Sequence, residues 1–432
     1  MKTVDPQLIE SYLQKTENYL NQKLIPFWSA RAVDTKYGGF QTNYDRNGHR
    51  TEVTEKSFLA QCRCIFTLSF VQRLGFQWPD GEASLKQGLD FLFTHFRDKE
   101  NEGYFWIVEE DGQVKDDNKI IYGHSFLIYG LAEYALLTGD DSAKKEACRL
   151  FDWLQTKVAD TEYGGYLEHF DRQMNLKKSH KDFPVHKSLD VHMHLMEAFT
   201  TLYELTGEEK HRNALLEIIE LIFDKMVDPE MGTGISMFTQ DWKPIPNVEL
   251  DTVWGRDRFD EQGKSINITS YGHNIELAWL YLHALDILAI PRANHIDRVK
   301  PIFEHTYANR VDWTNGGLYV EGECSGPVTE PTKEFWQQAE AMVGFLDAYA
   351  LTGDIKYFDA FTNIHDFVFD KMIHWEQGDW FALLEADGTI IWDYMGTSWK
   401  VFYHTVRGTC LVVMKLRALN AIALSRQVKW EN

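Results

Sequence analysis

The sequence has 432 residues, of which 44% are hydrophobic and 25% are charged. This composition is typical of folded globular proteins and excludes disordered, collagen-like and small disulfide-stapled chains. The 44 lysines and arginines are outnumbered by 65 aspartates and glutamates, which gives a formal net charge of −21. Because such a surface repels phosphate groups and anionic lipids, we expect neither nucleic-acid nor membrane partners.

The five cysteines predict neither a disulfide framework nor a zinc cluster. Cys62 and Cys64 have no matching second pair, and an odd number of cysteines in a chain of this size is typical of free thiols in a reducing compartment. The stretch 1–6 lacks the apolar core of a signal peptide, and the chain has no run of about 18 apolar residues that would span a bilayer. We therefore expect a cytoplasmic protein.

A turn built from glycine and a neighbouring apolar residue recurs six times along the chain. The last glycines of these turns are Gly39, Gly103, Gly165, Gly234, Gly317 and Gly378. The intervals between them are 64, 62, 69, 83 and 61 residues, and a near-constant interval indicates a structural repeat. Several turns are followed closely by a second turn such as Asp111-Gly112, which predicts a short β-hairpin in each unit.

Two helix-like segments lie between successive turns. The stretches 57–74 and 83–96 have apolar residues at mixed spacings of three and four, as an amphipathic helix requires. A Thr-Gly-Asp or Thr-Gly-Glu tag, as at 352–354, ends the first helix, because glycine forms the left-handed cap and an acidic residue begins the next helix well. The repeat leaves one extra helix at the start of the chain, over 7–27.

The first helix of each unit is apolar over most of its surface, as in 120–137 and 271–288. Such a helix is buried, which favours a closed ring over an open solenoid with polar ends. We therefore predict an all-α fold, an (α/α)6 barrel of six helical hairpins with short β-hairpins at one end. The whole of 1–432 would form this single domain.

One interval, from Gly234 to Gly317, is longer than the others. Its surplus is a polar and acidic stretch at about 248–268 that contains Trp254 and Phe259. Long connections in compact domains are typically functional lids or disordered segments, and the two aromatic residues favour a lid.

Uncommon polar and aromatic residues cluster near the start of each first helix. Because the repeat makes these helices run in the same direction, their N-terminal ends share one rim, and the side chains converge on one axial pocket. The residues concerned are Arg63, Tyr122, His124, Asp190, His192, His194, His273, Glu276, Trp336, Glu340, Trp399, His404 and Arg407.

Two histidines have a glutamate three residues later on the same helix face: His194 with Glu197, and His273 with Glu276. A carboxylate beside an imidazole fixes its orientation, as a catalytic base needs. His192 and His194 point about 200° apart on a helix and cannot hold one metal ion together, so we expect no metal site. His192 is expected to face helix packing, whereas His124 fits either the pocket or the core.

Trp336 and Trp399 at the rim of a polar pocket offer flat apolar faces that suit the C–H face of a sugar ring. Together with acidic groups and imidazoles they indicate a carbohydrate site. The chain has no glycine-rich nucleotide-binding motif after a strand and no Gly-x-Ser-x-Gly elbow, so no nucleotide cofactor is implied.

Five segments, in order along most of the chain, resemble the N-acylglucosamine 2-epimerase superfamily and its cellobiose 2-epimerase branch. They are 63–69, 187–198, 270–279, 333–345 and 399–407. The resemblance implies an (α/α)6 barrel, in agreement with the repeat, and inversion at C2 of a reducing sugar without a cofactor.

Residue by residue, the resemblance implies that His273 and His404 exchange the C2 proton from opposite faces of the sugar. It makes His194 the third active-site histidine and Arg63 the arginine near the substrate oxygens. The predicted catalytic residues are thus His273, His404, His194 and Arg63. The predicted substrate-binding residues are Tyr122, Asp190, Glu276, Trp336, Glu340, Trp399 and Arg407.

Two departures from the cellobiose 2-epimerase pattern favour a monosaccharide. Asp190 replaces the usual asparagine, and the long stretch before Ser270 would cover the pocket mouth where a second sugar unit must extend. We predict a monomeric or homodimeric enzyme that interconverts mannose and glucose, with a small sugar as its partner. The alternatives are a cellobiose or mannobiose 2-epimerase, an aldose–ketose isomerase and, more remotely, a glycoside hydrolase or a non-catalytic sugar-binding module.

Overall fold

The computed structural model describes residues 4–178, 184–246 and 267–428. Helices dominate, and several outer helices end in a π-helical turn. The α-helices are α1 Pro6–Tyr19, α2 Ile25–Ser29, α3 Phe58–Arg73, α4 Gly81–Phe91, α5 Ile121–Thr138, α6 Asp141–Lys157, α7 Leu189–Thr206, α8 Glu209–Leu221, α9 Tyr271–Ile287, α10 Ile296–Arg310, α11 Phe335–Thr352, α12 Ile355–Phe367 and α13 Phe402–Val428. The π-helical turns are Leu20–Leu24, Leu92–Phe96, Ile222–Met226 and Val368–Met372, and Arg292–His295 is a 3₁₀ turn.

Six helices form a closed inner ring. Helices α3, α5, α7, α9, α11 and α13 each pack against the next, and α13 packs back against α3. Helices α4, α6, α8, α10 and α12 each pack outside the inner helix that precedes them, while α1 packs outside α13. The predicted (α/α)6 barrel is therefore confirmed. The extra N-terminal helix completes the sixth hairpin together with α13.

The boundaries follow from local chemistry that the sequence contains. Ser57 caps α3, since its side chain accepts a hydrogen bond from the backbone N–H of Ala60. Gly139, Gly207 and Gly353 end inner helices in the left-handed conformation, as the Thr-Gly tags predict. Inner helices such as α5 and α9 are buried over most of their surface.

Short antiparallel strands lie at the end of the barrel where the inner helices begin. They are β1 Lys56–Ser57, β2 Ile107–Val108, β3 Val114–Asp116, β4 Lys119–Ile120, β5 His169–Phe170, β6 Lys187–Ser188, β7 Val227–Asp228, β8 Thr233–Gly234, β9 Met237–Phe238, β10 Ile268–Ser270, β11 Glu321–Glu323, β12 Val328–Glu330, β13 Lys333–Glu334, β14 Leu383–Leu384 and β15 Ile390–Trp392. The predicted hairpins exist as β2–β3, β11–β12 and β14–β15. The first strand of each hairpin also pairs with a strand of the preceding unit, as β2 does with β1, β11 with β10 and β14 with β13. The strands therefore connect neighbouring units.

Most of the insertion predicted at about 248–268 lies within 247–266, outside the described part of the chain. Its last two residues, 267 and 268, are described, and β10 begins at the second of them. Within the described residues, one stretch, Phe402–Ser425, is long and apolar enough to cross a membrane. This stretch is most of α13, whose first half is buried in the inner ring, and a core helix passes the same test.

A buried lysine fastens the glycine turn in five of the six units. In each of these five units the lysine lies just before the inner helix, and its ammonium group pairs with a buried aspartate 2.6–3.1 Å away. The pairs are Lys56–Asp34, Lys119–Asp98, Lys187–Asp160, Lys333–Asp312 and Lys400–Asp379. In the fourth unit the corresponding residue is Thr269, whose hydroxyl donates to the carbonyl of Gly234. These contacts fix where each inner helix starts, and therefore where its site residues lie.

Replacing Lys333 by methionine tests the role of these pairs. Asp312 would remain buried without its cation, which costs about 3–5 kcal/mol, so we expect a clear fall in the thermal unfolding midpoint. The matched control is Lys145→Met, which removes an exposed pair with Asp141 that solvent screens, so its unfolding midpoint should hardly change. Equal midpoints in the two variants would contradict the stabilising role of the buried pair.

Candidate active site

A cavity of about 350 Å³ opens at the end of the barrel where the inner helices begin. This volume is at the lower end of the range for small-molecule sites. Nine of the predicted site residues line it, namely Arg63, Tyr122, Asp190, His194, His273, Glu276, Trp336, Trp399 and His404. Glu340 and Arg407 lie immediately behind the wall, in contact with His404 and Glu276. A larger open groove on the outer surface, between α4 and α6, contains none of them.

His404 lies on the cavity wall with its orientation fixed from behind. Its Nδ1 is 2.6 Å from Glu340 Oε1, and the other oxygen of Glu340 accepts a hydrogen bond from Trp279 Nε1 at 3.0 Å. Burial lowers the pKa of His404 to about 3, although Glu340 opposes that shift. His404 is therefore neutral at physiological pH, with the proton on Nδ1 and a free electron pair on Nε2, as a general base requires.

His273 lines the same cavity and is more exposed, with 24% of its side chain accessible. Its Nε2 is 3.7 Å from Asp190 Oδ1. The ring of Trp336 lies 4.6 Å from the His273 ring and 5.6 Å from the His404 ring, measured between centroids. The two histidines, from α9 and α13, thus contact one tryptophan and face one cavity, although 130 residues separate them in the sequence.

His194 has a carboxylate at each ring nitrogen. Its Nδ1 is 2.9 Å from Glu197 Oε2, and its Nε2 is 3.3 Å from Asp190 Oδ1. Burial by itself lowers the pKa of His194, but Asp190 and Glu197 raise it to about 9. The spacing of His194 and Glu197 predicted this pairing, whereas the contact with Asp190 was not predicted.

Arg63 supplies a cation at the cavity wall. Its Nη2 donates to the Tyr122 hydroxyl at 2.8 Å, and its guanidinium lies 4.5 Å from the Phe126 ring centroid. Stacking on aromatic rings fixes the plane of the guanidinium group. Arg63 is thus suited to bind oxygen atoms of a ligand.

Arg407 is the centre of a buried cluster of three glutamates. Its Nη1 lies 2.5 Å from Glu197, and its Nη2 lies 2.7 Å from Glu340 and 3.2 Å from Glu276. The hydroxyl of Tyr403 bonds to both oxygens of Glu197 at 3.0–3.1 Å. Arg407 and Glu340 lie behind the cavity wall and contact the wall residues Glu276 and His404. Their role in substrate binding stays a prediction.

Glu276 belongs to this cluster. Burial, reinforced by the neighbouring Glu340, raises the pKa of Glu276 well above its usual range. Its Oε2 is buried without a hydrogen-bond partner in the described part of the chain. Ligand atoms of Glu276, Glu340 and His404 lie within 4.8 Å of one another, as metal ligands do, but Arg407 already contacts both carboxylates and occupies the position of a cation.

His124 and His192 belong to the core. In each, Nδ1 lies 2.8 Å from a backbone carbonyl of the preceding turn, so Nδ1–H donates and Nε2 accepts. The accepted donors are the backbone N–H groups of Tyr104 and Tyr166 in the glycine turns. A side chain on Gly165 would lie 2.8 Å from His192 Nε2, which explains the glycine there. His192 faces the packing between elements, as predicted. Of the two positions predicted for His124, pocket or core, the structure shows the core.

Two aromatic residues of the cavity escaped the sequence analysis. Trp392 ends β15, and Tyr394 follows it; their rings stack at 6.0 Å, and both line the cavity. The signal available was the spacing of Trp392 and Tyr394 after the turn at Gly388, because residues two apart in an extended chain point to the same side.

Replacing Arg407 by leucine would leave Glu197 and Glu340 as buried carboxylates without their cation. We expect a loss of about 3–5 kcal/mol at neutral pH. The folded-state pKa of these groups would then rise above its unfolded value, so the stability deficit should grow with increasing pH. The thermal midpoint measured against pH tests this. The control is Arg417→Leu, which should show no such trend. Arg417 lies on α13 like Arg407, but it pairs near the surface with Glu17 of α1.

The comparisons with known proteins agree with this architecture. The family model described as N-acylglucosamine 2-epimerase matches residues 38–408. The chain is 26% identical to a cellobiose 2-epimerase of Bacteroides fragilis over 91% of this chain and 96% of that protein. It is 23% identical to a D-mannose isomerase of Marinomonas mediterranea over 92% of this chain and 96% of that protein.

Among solved structures, the cellobiose 2-epimerase from Bacillus thermoamylovorans superposes with a TM-score of 0.84 at 26% identity, covering 94% of this chain and 100% of that one. The family model spans most of the barrel, including all six inner-helix starts. The chain therefore belongs to the N-acylglucosamine 2-epimerase family, a family of carbohydrate epimerases and isomerases.

Proposed function

We propose that this protein is a sugar 2-epimerase that interconverts D-mannose and D-glucose, with His273 and His404 as the acid–base pair. The observation that supports this best is that both imidazoles face one small cavity and contact the same Trp336 ring. Inversion needs a proton acceptor on one face of C2 and a proton donor on the other. Two histidines on separate inner helices provide both.

The chemistry begins with the hydrogen on C2 of an open-chain aldose. This hydrogen is weakly acidic, because the neighbouring aldehyde delocalises the resulting charge into an enediolate. His404 suits its removal because it is neutral and Glu340 holds its Nδ1–H. As the proton transfers to Nε2, Glu340 stabilises the imidazolium that forms. Such a positioned base contributes about 10²–10⁴-fold to the rate.

The second half of the reaction returns a proton to the opposite face of C2. His273 lines the cavity 3.7 Å from the Asp190 carboxylate and, when protonated, can donate this proton. In the reverse direction the two histidines exchange roles, since the same two faces are involved. The base that removes the proton from one epimer is therefore the acid for the other.

Arg63 stabilises the negative charge of the enediolate oxygens. Tyr122 and the aromatic rings around Arg63 hold it before substrate binds, so little reorganisation is needed during the reaction. One such preorganised donor is worth about 10²–10³-fold. Trp336 and Trp399 provide apolar faces for the sugar ring.

The small cavity and the replacement of the usual asparagine by Asp190 support a monosaccharide. Cellobiose is the second candidate substrate, because the relatives described above include proteins named cellobiose 2-epimerase. Mannose–fructose isomerisation is favoured by the D-mannose isomerase relatives and would return the proton to C1. A hydrolytic mechanism needs two carboxylates about 5–10 Å apart across the scissile bond. The wall carboxylates Asp190 and Glu276 instead lie beside His194 and Arg407, at 3.3 and 3.2 Å.

Incubation with mannose, glucose or cellobiose in D₂O separates these reactions. We expect deuterium at C2 of mannose together with the appearance of glucose, followed by proton NMR of the sugar. Formation of fructose would select the isomerase, and exclusive turnover of cellobiose would select the disaccharide enzyme. Hydrolysis, or sugars that remain unlabelled, would contradict the proposed function.

His273→Asn and His404→Asn test the acid–base pair. Asparagine keeps the polarity but cannot exchange a proton near neutral pH, so each variant should lose about 10²–10⁴-fold in kcat. His49→Asn, at a histidine that is 77% exposed, is the control and should retain full activity. Thermal midpoints check the fold, and full epimerase activity in either active-site variant would show that the pair is wrongly assigned.

A further inference from the structure

The environment of His194 differs from that of the other cavity histidines. Both of its ring nitrogens face carboxylate oxygens, Glu197 at 2.9 Å and Asp190 at 3.3 Å. A carboxylate only accepts hydrogen bonds, so an attractive contact at both nitrogens requires a hydrogen on each. A ring with two N–H groups is an imidazolium ion. The His194 side chain is 2% exposed, so bulk water screens these two contacts only weakly.

The groups around His194 from the neighbouring helices fit this charge. Its own helix α7 supplies Asp190 and Glu197, and α9 supplies Glu276 and His273. Groups on three other inner helices also act on His194 or on its two carboxylates. The Tyr122 ring of α5 lies 5.4 Å from the His194 ring, and Arg63 of α3 acts on Asp190. Arg407 and Tyr403 of α13 bind Glu197.

The competing cation Arg407 does not displace His194 from Glu197. Arg407 contacts Glu197 Oε1, whereas His194 contacts Glu197 Oε2, so one carboxylate bridges the two cations through different oxygens. At the other ring nitrogen, Asp190 Oδ1 lies close enough for an ion pair but makes no hydrogen bond within the described residues. Asp190 therefore attracts the charge on His194 without binding the Nε2–H in a directed hydrogen bond.

We propose that His194 is a fixed imidazolium ion that Asp190 and Glu197 hold in the charged form, and that it binds the enediolate oxygens together with Arg63. This inference rests on the proposed function. His194 then transfers no proton: the C2 proton moves to and from His273 and His404, and the charge left on the enediolate oxygens faces two cations. Asp190 is a positioning residue that acts through His194.

The proposal assigns opposite charge states to two histidines of one cavity. His404 is neutral because its carboxylate partner contacts one nitrogen only and burial prevails, whereas His194 is charged because it has two such partners. The raised pKa of His194 means that its charge persists below about pH 9. Its contribution to stability is complete below the unfolded pKa of 6.5 and is lost as the pH rises towards 9. The usual asparagine at position 190 would leave His194 with one carboxylate.

The test is ¹⁵N NMR of the full protein labelled at histidine, recorded without sugar between about pH 5.5 and 9.5. The His194 signals are identified by their loss in His194→Gln. We expect both ring nitrogens of His194 to remain protonated up to about pH 8. In Asp190→Asn the titration midpoint should fall by about 1–3 pH units. The alkaline limit of kcat should fall with it, and Asp190→Glu should restore both.

Asp45→Asn is the matched control, because Asp45 and His49 have the same spacing of four residues on the surface. It should leave the His194 signals unchanged. A neutral His194 at pH 7, or a midpoint unchanged in Asp190→Asn, would overturn the proposal even in an active epimerase. A charged His194 in a protein that exchanges no C2 proton would instead refute the proposed function and leave the charge assignment intact, so the two failures are distinguishable.

Discussion

The geometry of the site depends on one buried guanidinium group. Arg407, on α13, binds Glu197 on α7, Glu276 on α9 and Glu340 on α11. A single side chain thus joins four of the six inner helices at the depth where the cavity ends. Since Glu197 holds His194 and Glu340 holds His404, the orientation of two cavity histidines follows from how Arg407 divides its hydrogen bonds.

The same network explains how one cavity contains imidazoles of different character. The three histidines differ in exposure and in the number of carboxylates beside them. The buried His404 contacts one carboxylate, and the buried His194 contacts two. The partly exposed His273 has one carboxylate at a longer distance. Burial alone would make all of them neutral, and carboxylates alone would make all of them charged. In our proposal, the balance between the two effects separates the base His404 from the fixed cation His194.

Much of the fold could be predicted from the sequence, because a repeat shows the same local signals several times. The glycine turns, the Thr-Gly caps and the apolar first helices all pointed to the same barrel. The buried lysines, such as Lys56 and Lys333, were missed, since a lone lysine before a helix is typical of a solvated position. Only the fold places an aspartate from the preceding turn beside each one.

The site was predicted as a set of residues better than as a set of contacts. A histidine and a glutamate three residues apart gave the pair His194–Glu197, because the helix fixes that geometry. The same spacing suggested His273 with Glu276, but Glu276 bonds to Arg407 on another helix, and Asp190 lies near His273. Contacts between inner helices depend on the rotation of each helix about its axis, which spacing along the chain does not specify.

The sixth hairpin pairs α1 with α13, the first and last long helices described. During synthesis, α1 therefore leaves the ribosome about 400 residues before the helix against which it packs. Until α13 arrives, α1 can make only its contacts with α12, such as those of Tyr12 with Phe358 and Phe361. The cavity meanwhile lacks both His404 and Arg407. Activity cannot precede ring closure: a nascent chain stalled before α13 would contain five hairpins and no working site.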